Sequence, residues 1–304
     1  GKTVASNIAW ANGGVKNAVE GVINTADTSY TGTTAQDAAD WITNKVTGTN
    51  DTYRVGADNI AYKIAAAVDD LTGKKTTTNG VASGLEHGYW LFVTKADTIN
   101  EGEAGTSPIF TVVGSAPVNV TEKTGIPTAE KKIVSAADGQ EHDAADSQIG
   151  QDVTYNLYGT VAENFDKYKT YFYEFSDQIS KGLALQDGAQ VYLYESKDAA
   201  QKDLKHENPT LNITGSFTPG SGVVDANGNK TMTWTCNNLK DISGATITKD
   251  SCIVVSYTAR INGYAIVGLA NNKEGNPNTV TLYYSNNPMT TEHGQTVPDT
   301  VRDY

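Results

Sequence analysis

Three strand-like runs in this sequence each carry a polar residue on their apolar side. Side chains alternate across a strand, so residues two apart share a face. In the run from Thr128 to Ile133, Ala129, Lys131 and Ile133 share one face, while Glu130 and Lys132 take the other. The aromatic face of Tyr171, Tyr173 and Phe175 continues to Asp177, and Asn278 falls on the face of Val280 and Leu282. A lysine, an aspartate and an asparagine are therefore expected to point inward. They come from near the start, the middle and the last strand of one β-rich stretch. The first and last strands of a sandwich can lie side by side, which would bring the residues together.

Together they have a chemical outcome. Burial disfavours the charged forms, lowering the lysine pKa and raising that of the aspartate. A neutral amine is a nucleophile. A protonated carboxyl can donate a hydrogen bond to the Asn carboxamide, polarise its carbonyl and then shuttle protons. Attack expels ammonia and leaves a Lys–Asn isopeptide bond, with proximity in the folded core supplying the effective concentration. That is self-crosslinking in a single turnover. The plainer alternative is an edge-strand lysine whose ammonium snorkels out to water.

The elements that must position these residues are short strands. From residue 89 onward, β-type runs alternate with Gly, Asn, Asp and Pro clusters, as in antiparallel sandwiches. They are Tyr89–Val93, Phe110–Val113, Val118–Val120, Val153–Tyr158, Thr170–Phe175, Gln190–Tyr194, Thr231–Cys236, Cys252–Tyr257 and Thr279–Tyr284. The first 80 residues hold two helix signals instead. One starts at Thr33-Thr34 and runs through Trp41, capped and with Asp37 in its first turn. The other places Ile60, Ile64, Val68 and Leu71 on one stripe and ends at Gly73. Gly125 and Pro127 make a hinge. The chain thus reads as mainly β, in two tandem domains. Residues 1–125 form a helix-decorated β-sandwich and residues 126–304 an all-β sandwich, with Pro288–Pro298 read as a linker starting at about residue 289.

Composition removes several function classes. The chain has 304 residues, with 23 basic and 35 acidic side chains, for a net charge of −12. No basic cluster could displace counterions from phosphate, so nucleic acid is excluded as a partner, and attraction to anionic membranes fails for the same reason. No apolar run reaches the length needed to span a bilayer. His87, His142, His206 and His293 lie apart without H-E-x-x-H or H-x-H spacing, and no G-x-S-x-G elbow is present. Neither a metal nor another cofactor is implied, and the chain is not read as an enzyme beyond crosslinking itself. Asp225-Ala-Asn227-Gly-Asn229 is closer to an Asn-Gly hairpin turn than to a calcium loop. Cys236 and Cys252 sit at the edges of two consecutive strands, where a disulfide and a pair of free buried thiols are both open.

Four segments resemble the shaft (backbone) pilins of Gram-positive sortase-assembled pili. Asn278 with Leu282-Tyr-Tyr284-Ser285-Asn286-Asn287-Pro288 is similar to that family's N-x-x-x-L-x-Y-S-N-D-P signature, with Asn287 where Asp is usual. Pro127-Thr-Ala-Glu-Lys131 resembles its P-x-x-x-K opening, and Asp177 to Leu183 its D-x-x-x-x-G-L segment. Gly84-Leu85-Glu-His-Gly88-Tyr89-Trp90-Leu91-Phe92 is similar to a stretch of the family's first domain. The resemblance covers most of the chain.

It implies tandem immunoglobulin-like sandwiches, the middle one of CnaA/CnaB type. It also implies an isopeptide bond between Lys131 and Asn278, with Asp177 as the catalytic acid. Lys123, in Val118-Asn-Val-Thr-Glu-Lys123-Thr, takes the place of the sortase acceptor lysine, although Thr-Glu-Lys departs from the usual Y-P-K. The family's C-terminal domain, E-box and sorting signal have no counterpart, so the resemblance implies two domains of a longer subunit with a clipped first strand. The implied function is a structural subunit of a covalently polymerised pilus (fimbria) on the cell wall, secreted and extracellular. Its partners would be a pilin-specific sortase, neighbouring copies joined head to tail, and minor pilins or host surface ligands. The alternative is a pilus-tip or cell-wall adhesin that grips a host protein or glycan.

Overall fold

The computed structural model describes residues 6–46, 59–68, 71, 77, 81–94, 99–100, 102–119, 125–267 and 274–304. Lys123 lies outside the described residues.

Helices come first along the chain. α1 (Gly13–Ala26) is capped by Asn12, whose Oδ1 accepts from the Val15 amide at 2.9 Å. Two glycines open it and β-branched residues fill it, so its helical signal in the sequence is weak. Val19 and Ile23, four apart, nevertheless give it a buried stripe. α2 (Ala35–Val46) starts where the sequence places it, with Asp37 Oδ2 accepting from the Thr33 and Thr34 amides. α3 (Ile60–Ala67) buries Ile60 and Ile64. These helices share a core with Ala38 and Trp41, against which Leu91 and Phe110 pack. Those two side chains belong to an antiparallel ribbon of β1 (Gly88–Phe92) and β2 (Ile109–Val113).

The described residues from 125 onward form a β-sandwich of two seven-stranded sheets. Its strands begin with β3 (Ala129–Val134), β4 (Glu141–His142), β5 (Ala144–Ala145) and β6 (Asp152–Thr160). β7 (Tyr173–Ile179), β8 (Leu183–Leu185) and β9 (Gln190–Tyr194) follow, then the short helix α4 (Lys197–Lys202). The chain continues through β10 (Leu211–Asn212), β11 (Thr218–Val224), β12 (Lys230–Cys236) and β13 (Cys252–Ile261). It closes with β14 (Asn276–Ser285), β15 (His293–Gln295) and β16 (Asp299–Asp303). One sheet runs β10-β9-β13-β6-β3-β4 with β8 beside β13; the other runs β11-β12-β7-β14-β16-β5 with β15 beside β14. Alternate residues of both sheets, among them Tyr155, Leu157, Phe175, Trp234, Val255 and Leu282, interdigitate in one core.

Further features differ from the sequence reading. The segment expected as a linker is built into the second sheet. β15 pairs with Tyr283–Ser285, and β16 pairs with Asn276–Val280 and buries Val301 completely. Gly and Pro around these short strands hide them from a periodicity reading. β11 was also missed, because Pro219, Gly220 and Gly222 argue against a strand; it lies at a sheet edge, where such residues are tolerated. At the turn between β11 and β12, Asp225 Oδ1 accepts from the amides of Asn227 and Asn229, and Gly228 takes a φ of 84°. That makes it a hairpin turn.

Candidate crosslinking site

Asp177 and Asn278 come from neighbouring strands of the second sheet. In the β7–β14 pairing Asp177 stands opposite Val280, so Asn278, two residues along, is its diagonal neighbour on the inner face. Lys131 on β3 and Tyr257 on β13 come from the other sheet, with β6 between them. Lys131, Asp177 and Asn278 are fully buried, and Tyr257 is 2% exposed.

Their polar atoms form one closed cluster. Lys131 Nζ donates to Asn278 Oδ1 at 2.5 Å and to the Tyr257 hydroxyl at 3.0 Å, and is ion-paired with Asp177 Oδ1. The Tyr257 hydroxyl accepts from Asn278 Nδ2 at 2.6 Å and donates to Asp177 Oδ2 at 2.5 Å. Aromatic rings flank the amine. Lys131 Nζ sits 5.3 Å from the ring centroids of both Tyr155 and Tyr257, which stack on each other, and Trp234 also stacks on Tyr257. Burial pulls the Lys131 ammonium down to about 8, although the adjacent Asp177 charge works the other way. Burial likewise pushes the Tyr257 phenol well above its ordinary range, so it stays protonated and can both donate and accept.

The sequence-based expectation placed Lys131 and Asn278 on strands lying side by side. They face each other from opposed sheets instead, because β3 pairs with β4 and β6 while β14 pairs with β7, β15 and β16. A second difference concerns the hydrogen bond on the Asn278 carbonyl. Lys131 donates it, and no hydrogen bond in the cluster joins Asp177 to Asn278. The two are connected through Tyr257, which sequence reasoning missed. Its signal was available: Tyr257 shares the inward parity of Ile253 and Val255.

The neighbouring candidates lie elsewhere. Lys132 points outward and pairs with Asp143 at 2.6 Å and Glu130 at 2.9 Å. Asn287 Oδ1 accepts from the Met289 amide, fixing a turn. The disulfide left open for Cys236 and Cys252 is not formed, and both thiols are free. Cys236, on β12, faces the core between the sheets. Cys252 is on β13 of the opposite sheet and faces outward, with Tyr158, Tyr194 and Ala200 covering it. One residue of parity separates it from the core-facing Ile253.

Two more carboxylates brace the site. Asp299 Oδ2 accepts from the Lys131 amide at 2.7 Å, tying β16 to β3 across the sandwich. Asp303 is buried and accepts from Ser147 Oγ at 3.0 Å; burial raises its carboxyl to about 6.

No family model and no curated protein matches the chain. Solved structures do resemble it. The T6 backbone pilin of serotype M6 Streptococcus pyogenes is 17% identical, with a TM-score of 0.48, over 81% of this chain and 54% of that one. The pilus backbone RrgB from Streptococcus pneumoniae is 19% identical, with a TM-score of 0.37, over 56% and 55%. The major pilin SpaD from Corynebacterium diphtheriae is 15% identical, with a TM-score of 0.42, over 71% and 45%. These are likenesses of outline. The chain spans about half the length of each of these proteins.

Proposed function

We propose that this chain is a structural subunit of a covalently polymerised surface pilus, hardened by a Lys131–Asn278 isopeptide bond that it forms by itself. The observation that supports this reading best is a fully buried amine 2.5 Å from the side-chain carbonyl oxygen of Asn278 and in contact with the Asp177 carboxylate. Transfer of one proton across the Lys131–Asp177 contact gives a neutral amine and a neutral acid, the pair that the reaction needs. The Lys131 nitrogen then attacks the Asn278 carboxamide carbon. Asp177 supplies the proton that the departing ammonia needs and takes one back from the Lys131 nitrogen. The folded core holds nucleophile and carbonyl in place, so no external enzyme is required.

The remaining features follow from the resemblance of the sequence to shaft pilins. Residues 1–125 and 126–304 act as two domains. Lys123 receives the C terminus of the next subunit through a pilin-specific sortase, building a head-to-tail fibre outside the cell on the cell wall. A digest of the folded protein tests the crosslink. A branched peptide joining Lys131 to Asn278 is expected; separate linear peptides holding each residue would overturn it. Incubation with a pilin sortase and a labelled sorting-motif peptide tests the acceptor, with label expected on the parent and absent from Lys123→Arg.

A further inference from the structure

The hydrogen bonds of the cluster leave Asp177 without a contact to the amide it must protonate. Its Oδ1 faces Lys131 Nζ and its Oδ2 faces the Tyr257 hydroxyl. The leaving nitrogen, Asn278 Nδ2, has the Tyr257 hydroxyl as its partner at 2.6 Å. One oxygen therefore stands between the acid and the leaving group, 2.5 Å from one and 2.6 Å from the other. We propose that Tyr257 is a catalytic residue of the crosslinking reaction, relaying a proton from Asp177 to the departing nitrogen of Asn278. The proposal rests on the isopeptide reading above.

The step balances. Lys131 Nζ bonds to the Asn278 side-chain carbon, giving a tetrahedral centre in which Nδ2 is pyramidal and has a free lone pair. The Asp177 carboxyl, protonated from Lys131, turns so that its acid proton faces Tyr257 and passes to the Tyr257 oxygen as the Tyr257 hydroxyl proton passes to Nδ2. The bond from carbon to Nδ2 breaks and ammonia leaves. The nitrogen of Lys131, now carrying an excess proton, returns it to Asp177 Oδ1, with which it is already in contact. Tyr257 and Asp177 end as they began, and the net change is one amide formed and one ammonia released.

The arrangement also explains why a tyrosine suits this position. Its phenol stays protonated in the dry core, so it takes up one proton only as it passes on another. Tyr155 and Trp234 stack on its ring and fix the hydroxyl in place.

Freshly synthesised chain is followed by intact mass, counting loss of ammonia against time, for the parent and Tyr257→Phe. Removing a general acid–base group costs about 100-fold or more, so the variant is expected to fold and crosslink at least about 100-fold more slowly. Crosslinking at the parent rate would overturn the relay. If Tyr257→Phe fails to fold, site-specific Tyr257→3-fluorotyrosine keeps the shape and acidifies the phenol. A rate altered at fixed pH then supports the relay, and an unchanged rate overturns it. A parent that never loses ammonia overturns the isopeptide reading itself, which separates the two failures.

Discussion

Lys131 and Asn278 belong to opposed sheets of one sandwich, yet Lys131 Nζ lies 2.5 Å from Asn278 Oδ1. A bond between them would rivet the two sheets through the core. The residues are 147 apart in sequence. β15 and β16 both follow Asn278, so the bridge would leave the end of the sandwich outside the closed loop.

This geometry sets a mechanical expectation. When the chain is pulled from its ends, residues 132–277 should add no length in the parent. In Asn278→Ala the same stretch should unravel, adding roughly 500 Å at about 3.6 Å per residue. Single-molecule force spectroscopy reads the difference directly, and equal contour lengths would contradict the bridge.

Closing so long a loop also restricts the unfolded chain. The chain-entropy relation for crosslinks gives about 5 kcal/mol for a loop of this size. Asn278→Ala is expected to lose at least that much, since it also leaves a buried lysine with fewer partners. Urea denaturation of the two proteins measures it; a difference under about 1 kcal/mol would count against the crosslink.

The pH dependence of crosslinking follows from the single proton shared by Lys131 and Asp177. The productive pair, neutral amine and neutral acid, carries the same proton count as the ion pair. With the Lys131 ammonium at about 8, that shared proton is lost above pH 8. The rate in freshly folded chain should then fall, by about tenfold per pH unit, because the acid is gone. A rate that climbs through pH 8 would mean that only the free amine matters and that Asp177 is not the acid.

Asp303 gives a separate test of the core beside the site. Its folded value of about 6 exceeds the ordinary 3.8, so between these pH values the folded chain binds more protons than the unfolded one. Stability contributed by this group is present below pH 4 and is lost as pH rises through 6. Asp303→Asn, made in the uncrosslinked Asn278→Ala background, should be more stable than its parent at pH 7 by about 3 kcal/mol, with the gap closing near pH 4. A gap that is constant with pH would contradict the assignment.

How much of this was legible in the sequence depends on parity. Lys131, Asp177 and Asn278 each lie two residues from a core aromatic or aliphatic residue on a strand of unbroken alternation, so their inward direction could be read. Cys252 shows the limit: its strand, Cys-Ile-Val-Val, is apolar on both sides because Tyr158, Tyr194 and α4 cover its outer face. Alternation carries no direction there, and nothing warned that the two cysteines face different ways. Pairing between sheets is not written in local pattern at all. That is why the strands of Lys131 and Asn278 were expected side by side, and why Tyr257, contributed across the sandwich, went unread. α1 was hidden for a different reason, since tertiary burial of Val19 and Ile23 outweighs poor intrinsic propensity.

The most direct test of the account is the intact mass of the denatured, reduced protein beside those of Asn278→Ala and Asp177→Ala. The parent is expected to be lighter than its sequence by one ammonia, and both variants are expected at their full calculated masses. A parent at its full sequence mass would contradict the crosslink and leave Lys131, Asp177, Tyr257 and Asn278 as a buried polar cluster with a purely structural role.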